Sequence, residues 1–255
     1  PIIYYDAGER DELNEHWVHV FRPAFVFKQI LTPEVLARGL TVKIPEYSLK
    51  MFPLPLSNMF VDHPEYAFMV RETLKEVAHN PYPVGTLRNS DGPSHKTVDL
   101  FYHLGDTWPA RKALGDALDA MRRSRGYRYF KGANFDEYQV MLPKCRLVVS
   151  MRGSGRDTTR YWEIPMYRTA LVCDGTMGCI HPYPFVDRST AIFYRSPEEA
   201  AALVDEYLFS KTVELDAIAG AGKAHLRRYH SSAARSMFFL DRVAEVRRLR
   251  LSPQE

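Results

Sequence analysis

Cysteine is scarce in this chain: three in 255 residues, at positions 145, 173 and 179, with no C-x-x-C pair among them. That argues against a disulfide framework, and the expectation is a set of buried, reduced thiols in an intracellular protein. No apolar run approaches the roughly 20 residues needed to span a bilayer, and no secretory leader opens the chain. The dinucleotide fingerprint G-x-G-x-x-G is missing, since Gly153-Ser154-Gly155 is followed by Thr158 where the third glycine would stand. Charge of one sign is also lacking. A net charge of +3 gives no argument for nucleic acid as a partner. Arginines cluster at 122, 123, 125 and 128 and again at 247, 248 and 250, and these read as solvated helix faces and helix ends. There is no internal repeat and no low-complexity tract. The chain has no initiator Met and opens on Pro1-Ile2-Ile3-Tyr4-Tyr5-Asp6, a strand already under way, so a missing N-terminal portion is expected.

What remains is ordinary globular composition, 45% hydrophobic and 25% charged, enough for one large domain or one domain and part of another. Residues 2–5 and 24–28 read as short strands rich in aromatic and branched side chains. A short helix fits between residues 8 and 22, and helical spacing recurs over 65–79. Prolines at 45, 53 and 55 mark 41–60 as loop or extended crossover, and 80–96 is loop-like. We place a domain boundary in this region, giving 1–75 as the remnant of an N-terminal, acceptor-side domain with its linker and 76–255 as a C-terminal domain.

From residue 98 the rhythm is regular. Strands are expected at 98–103, 127–130, 145–151, 170–173 and 191–194. Helices are expected from Pro109 to about Ser124, at 135–142, at 158–167 and from 196 to about 249. Pro109 suits a first helical position. Ser196-Pro197-Glu198-Glu199 is a capping-box pattern. Strands alternating with helices predict an α/β fold, a Rossmann-like parallel sheet with helices on both faces. Ligands of such sheets bind beyond the carboxyl ends of the strands. Gly105, the run from Arg152 to Asp157, and Asp174-Gly175 all fall there.

The run Arg152-Gly153-Ser154-Gly155-Arg156-Asp157-Thr158-Thr159-Arg160-Tyr161-Trp162-Glu163 is the chain's most informative stretch. It leaves an apolar strand and enters a helix. Glycines let a backbone approach a ligand, first-turn N–H groups and the helix dipole favour an anion, and arginines supply paired donors. A carboxylate one turn on can hold a sugar hydroxyl. The chemistry is that of a nucleotide or nucleotide-sugar site. The competing structural reading makes Arg152, Asp157 and Arg160 a salt-bridge network, Asp157 the helix N-cap, and Glu163 the partner of Arg160 at helical spacing. Asp157 is read mainly as that cap, and the two arginines mainly as ligand contacts. His16 and His19 have the spacing of a metal pair but no third ligand. His103 fits either a phosphate contact or a satisfied buried histidine. Tyr161-Trp162 reads as core, and Asp174 as a turn residue before Gly175.

These residues resemble the C-terminal half of GT-B-fold glycosyltransferases, in the group related to spore-maturation proteins and glycosyltransferase family one. The resemblance rests on the strand at 146–151, the R-G-x-G-x-D-T-x-R turn from Arg152 to Arg160, and Trp162-Glu163. It is supported by Asp99 to Gly105 followed by Arg111, by His181-Pro182-Tyr183-Pro184-Phe185, and by Ala219-Gly220 with His225 and His230. It covers about 95–245 well and 1–60 loosely.

The resemblance implies two Rossmann-like domains, the second binding the donor and only part of the first being present. It implies a hexosyltransferase-like enzyme of glycan biosynthesis that moves a sugar from a nucleoside-diphosphate sugar to a hydroxyl on a glycan, lipid or protein. The donor-site residues it implies are Gly105, Arg152, Gly155, Thr158, Arg160 and Glu163, with Glu163 on the ribose. Asp6 is the candidate catalytic base. No cofactor is expected and, in the absence of a D-x-D motif, no metal. The implied setting is cytoplasmic, with peripheral membrane association left open. Two departures stand out. Pro165 should shorten or kink the helix, and Arg168 stands where glycine would relieve a left-handed cap. A non-catalytic glycan- or partner-binding scaffold on the same fold is therefore the alternative.

Overall fold

A computed structural model describes residues 3–6, 25–28, 34, 37, 51–53, 96–104, 109–131, 135–153, 158–175 and 181–251. Two parallel sheets organise them. The first orders β1 (Ile3–Asp6), β2 (Phe25–Lys28) and β3 (Met51–Pro53), with Asp6 opposite Lys28. The strand at Met51–Pro53 was not expected in a proline-rich segment. Pro53 lies on the outer strand of the β1-β2-β3 order, and an edge strand tolerates a residue with no N–H to donate. The helices expected at 8–22 and 65–79 and the boundary at 75/76 lie outside the described residues.

The second sheet holds five parallel strands in the order β5-β4-β6-β7-β8: β4 (Val98–Tyr102), β5 (Tyr129–Lys131), β6 (Cys145–Val149), β7 (Ala170–Cys173) and β8 (Ile192–Phe193). Side chains alternate between its faces, as the pleat requires. Leu100, Tyr102, Leu147, Val149 and Val172 point to one face. There they meet Leu114 and Leu118 of α1 (Pro109–Arg125), Val204 and Tyr207 of α4 (Pro197–Phe209), and Leu215 and Ile218 of α5 (Thr212–Tyr229). Phe101, Val148, Leu171 and Cys173 point to the other face. Their partners are Tyr138 of α2 (Phe135–Met141), Tyr161 and Trp162 of α3 (Thr159–Glu163), and Leu226 of α5. A last helix, α6 (Ser232–Leu251), follows. Every residue of β7 is buried, as befits a parallel strand covered on both faces. Cys145 and Cys173 are buried free thiols, and burial pushes the Cys145 thiol up to about 12.

The arginine-rich end of α1 forms ion pairs. Arg122 reaches Asp119 at 3.0 Å, Arg125 grips Asp205 of α4 through two bonds of 2.8 Å, and Arg128 pairs with Asp99 at 2.9 Å. Ser196 caps α4 by accepting from the Glu199 N–H at 3.2 Å, while the Glu199 carboxylate accepts from the Arg195 N–H at 2.7 Å. Pro165 acts as anticipated: the helix begun at Thr159 becomes a 3-10 turn at Ile164–Tyr167. Arg168 ends that turn in the left-handed region at φ 51°.

Candidate functional site

The chain runs from β4 outward to β5, then returns past β4 to β6 and continues to β7 and β8. The direction of winding therefore reverses between β4 and β6, and a crevice opens beyond the carboxyl ends of strands at such a switch point. Three described segments converge there: His103 and Leu104 after β4, Met151 to Gly153 after β6, and Asp174-Gly175 after β7.

Guanidinium groups tie these segments together. Arg160, from the first turn of α3, donates from Nη1 to the His103 carbonyl at 2.9 Å, and its charge lies 5.7 Å over the Tyr138 ring. It thus reaches across the sheet and acts on the Glu163 carboxylate only at longer range. Arg111, from the first turn of α1, is only 6% exposed. It donates from Nη2 to the Met151 carbonyl at 2.8 Å and from Nε to the Arg152 carbonyl at 2.9 Å. His103 shares this positive environment. Burial, then Arg160 and Arg111, hold its imidazole below the ordinary histidine range, so it is neutral at pH 7.

Asp174 sits in the turn expected of it, with the Gly175 N–H donating to the Cys173 carbonyl at 2.9 Å, and its side chain adds a role that the sequence reading did not give it. Its carboxylate accepts from the Arg152 N–H, 3.3 Å from each oxygen, and from the Tyr161 hydroxyl. Burial pushes its pKa above the ordinary aspartate range, against the pull of Tyr161 and the Arg152 N–H. Tyr161 and Trp162 are fully buried, as core residues should be.

The N-cap of α3 is Thr158, in extended conformation, and its hydroxyl makes no capping bond. Asp157, expected at that position, precedes it and lies outside the described residues, as do Gly105 and Gly155. With only five α-helical residues, α3 carries a small dipole, so side-chain cations weigh more in this site than the sequence suggested. Glu163 closes α3. Burial raises its pKa above the ordinary glutamate range, with Tyr138 and then Arg160 pulling the other way. Tyr138, from α2, was missed because it lies 25 positions from Glu163 and no spacing connects the two. Asp6 ends β1.

Beside β7, a nest of aromatic and imidazole rings covers Trp162. Phe185 stacks on it at 5.4 Å, His181 meets it edge-on at 5.4 Å, and His230 lies 4.6 Å away. Arg235 donates to His230 Nδ1 at 2.6 Å, so His230 carries its proton on Nε2 and donates to the Tyr183 carbonyl at 2.6 Å. Among the described residues no group of His, Cys, Asp or Glu is placed to hold a metal ion. No helix among them is long and apolar enough to cross a membrane.

The family described as glycosyl transferase-like matches residues 96–241, more than half of the chain, and the chain belongs to that family. Comparison with curated protein sequences gave no match. Solved structures with the same fold include Anabaena HepE in complex with UDP and glucose, 13% identical with a TM-score of 0.53, where the match covers 96% of this chain and 71% of that one. A glycosyltransferase from Rickettsia africae is 11% identical with a TM-score of 0.56, covering 96% of this chain and 70% of that one. The pneumococcal O-GlcNAc transferase GtfA, in complex with UDP and GlcNAc, is 8% identical with a TM-score of 0.52, covering 91% of this chain and 47% of that one. The fold is that of GT-B glycosyltransferases, and the family is one of glycosyl transfer.

Proposed function

We propose that this chain transfers a sugar from a nucleoside-diphosphate donor to a hydroxyl acceptor, with the donor held at the β4/β6 switch point. The observation that carries the reading is the convergence of Arg111, Arg152 and Arg160 on the carboxyl ends of β4 and β6. The complexes of HepE and GtfA with UDP point to a uridine nucleotide as the first donor to try.

In this reading the bond between the sugar's anomeric carbon and the diphosphate oxygen breaks, and negative charge grows on the departing diphosphate. The Arg152 and Arg160 guanidiniums and the Thr158 hydroxyl meet that charge in a fixed arrangement, which stabilises the transition state more than the ground state. Glu163, as a carboxylate, accepts from the ribose hydroxyls. Gly105 and Gly155 let the backbone approach the donor. The acceptor hydroxyl loses its proton to a base on the N-terminal side, for which Asp6 at the end of β1 is the candidate. The cations do the work that a metal would do, so transfer proceeds in a chelator. Glycan, lipid and protein hydroxyls remain the acceptor classes.

The test is release of nucleoside diphosphate from UDP-, GDP-, ADP- and dTDP-glucose in EDTA, with mixed acceptors present. One donor is expected to turn over, with Arg160→Ala slowed on the order of a hundredfold. No turnover with any donor, alongside tight nucleotide binding, would favour the glycan-binding scaffold instead.

A further inference from the structure

The backbone leaving β6 is held at almost every polar atom, and the groups that hold it come from separate elements. The Ser150 N–H donates to the Val172 carbonyl at 2.8 Å, and the Ser150 carbonyl accepts from the Tyr194 hydroxyl at 3.0 Å. Arg111 takes the Met151 and Arg152 carbonyls, and Asp174 takes the Arg152 N–H while Tyr161 holds Asp174 in turn. The peptide groups of Arg152 are thus already used on both sides and are not left for a ligand. Of the four side chains involved, the Arg111 guanidinium is a charge withdrawn from water. A buried guanidinium stabilises a fold no better than an apolar residue of similar size, so stability alone does not account for it. What Arg111 and Asp174 add is direction: they fix the line along which the Arg152 side chain departs.

We infer that Arg111 and Asp174 are positioning residues, which lock the backbone of Met151 and Arg152 so that the Arg152 side chain is set for a diphosphate before it arrives. Neither residue touches the donor. A donor site held to within a fraction of an ångström by its supporting shell loses binding and rate when that shell loosens. The binding consequence rests on the proposed donor site; the locked backbone itself does not.

The test joins amide hydrogen exchange on the ligand-free chain with titration by UDP and UMP, for Arg111→Met, Arg111→Lys and Asp174→Asn. In Arg111→Met, exchange over 150–158 is expected to quicken by about tenfold while β7 and α1 keep their protection. UDP affinity falls by about tenfold and UMP affinity by less than about threefold, because the Arg152 side chain is set for the diphosphate. Arg111→Lys, which keeps the charge and reaches one carbonyl, falls between Arg111→Met and the parent chain. Asp174→Asn reproduces the local loosening through the other side of the peptide and serves if Arg111→Met does not fold. Unchanged exchange over 150–158 would overturn the inference, and so would exchange raised equally across β7 and α1, since Arg111 would then be an ordinary core residue. A parent chain that fails to bind UDP counts against the donor site and leaves the exchange result to decide the lock.

Discussion

The Arg160 guanidinium donates to the His103 carbonyl at 2.9 Å, joining α3 to the end of β4 across the point where the sheet reverses its winding. The bond holds the cation at the mouth of the crevice. A neutral His103 beside it leaves the positive charge uncompensated from that side. Arg160→Lys keeps the charge but loses the planar fork. The replacement should cost about 1 kcal/mol of stability through the lost bond, read from urea unfolding. It should weaken nucleoside-diphosphate binding by a larger factor than that loss implies.

Glu163 sets a pH dependence. Burial raises its pKa above the ordinary glutamate range, so the folded chain takes up this proton more readily than the unfolded one. Its charge therefore destabilises the ligand-free fold near neutrality, and that cost is relieved as pH falls. The carboxylate form is the one that accepts from a ribose. Donor affinity should accordingly decline as pH drops through a value above the usual 4.5. Glu163→Gln should unfold at slightly higher urea at pH 7 yet bind nucleotide about tenfold more weakly, a difference of about 1.4 kcal/mol, with its acid dependence lost.

Two glycines two residues apart in α5 should respond in opposite directions. A Cβ on Gly222 would stand 2.6 Å from the Thr190 carbonyl oxygen, a backbone atom in the loop before β8. A Cβ on Gly220 would meet only the tip of Arg168, at 3.8 Å. Gly220→Ala should stabilise the chain by about 0.5–1 kcal/mol through helix propensity, and Gly222→Ala should destabilise it by about 1–3 kcal/mol through overpacking. Thermal unfolding of the pair checks this.

Acid should unfold the chain through its buried imidazoles. Burial lowers His181 to about 3 and His230 to about 2, while an unfolded histidine titrates near 6.5. The unfolded state binds these protons first, so stability falls as pH drops below about 6.5, by about 1.4 kcal/mol per pH unit for each histidine. Both ring nitrogens of His181 are buried without a hydrogen-bond partner among the described residues. His181→Phe should therefore leave stability at pH 7 unchanged or raised and make the acid limb shallower by one histidine, measured as urea midpoints between pH 7 and pH 5.

The sequence carried the layout of the second sheet because its signals are local. Apolar runs over β4, β6 and β7, Pro109 at the start of α1, the Ser196 cap and the Pro165 break each act within a few residues. The positive φ of Arg168 was legible for the same reason, since a chain ending a turn there needs that conformation whatever residue supplies it. What could not be read is contact across distance. Arg111 lies 40 positions before Met151, and Asp174 lies 22 after Arg152. Only the β4–β6–β7 order brings each pair together, and no periodicity records it. The strand at Met51–Pro53 was hidden by a different effect: proline argues against strand in general, but not on the outer strand of a sheet.

The central claim is a nucleoside-diphosphate site at the β4/β6 switch point, and calorimetric titration of the chain with UDP, GDP, ADP and dTDP tests it most directly, with Arg160→Ala in parallel. The account predicts micromolar binding of one nucleotide, weakened by about tenfold or more in Arg160→Ala, or about 1.4 kcal/mol. Binding that is equal in the two chains, or absent for all four nucleotides, would contradict it.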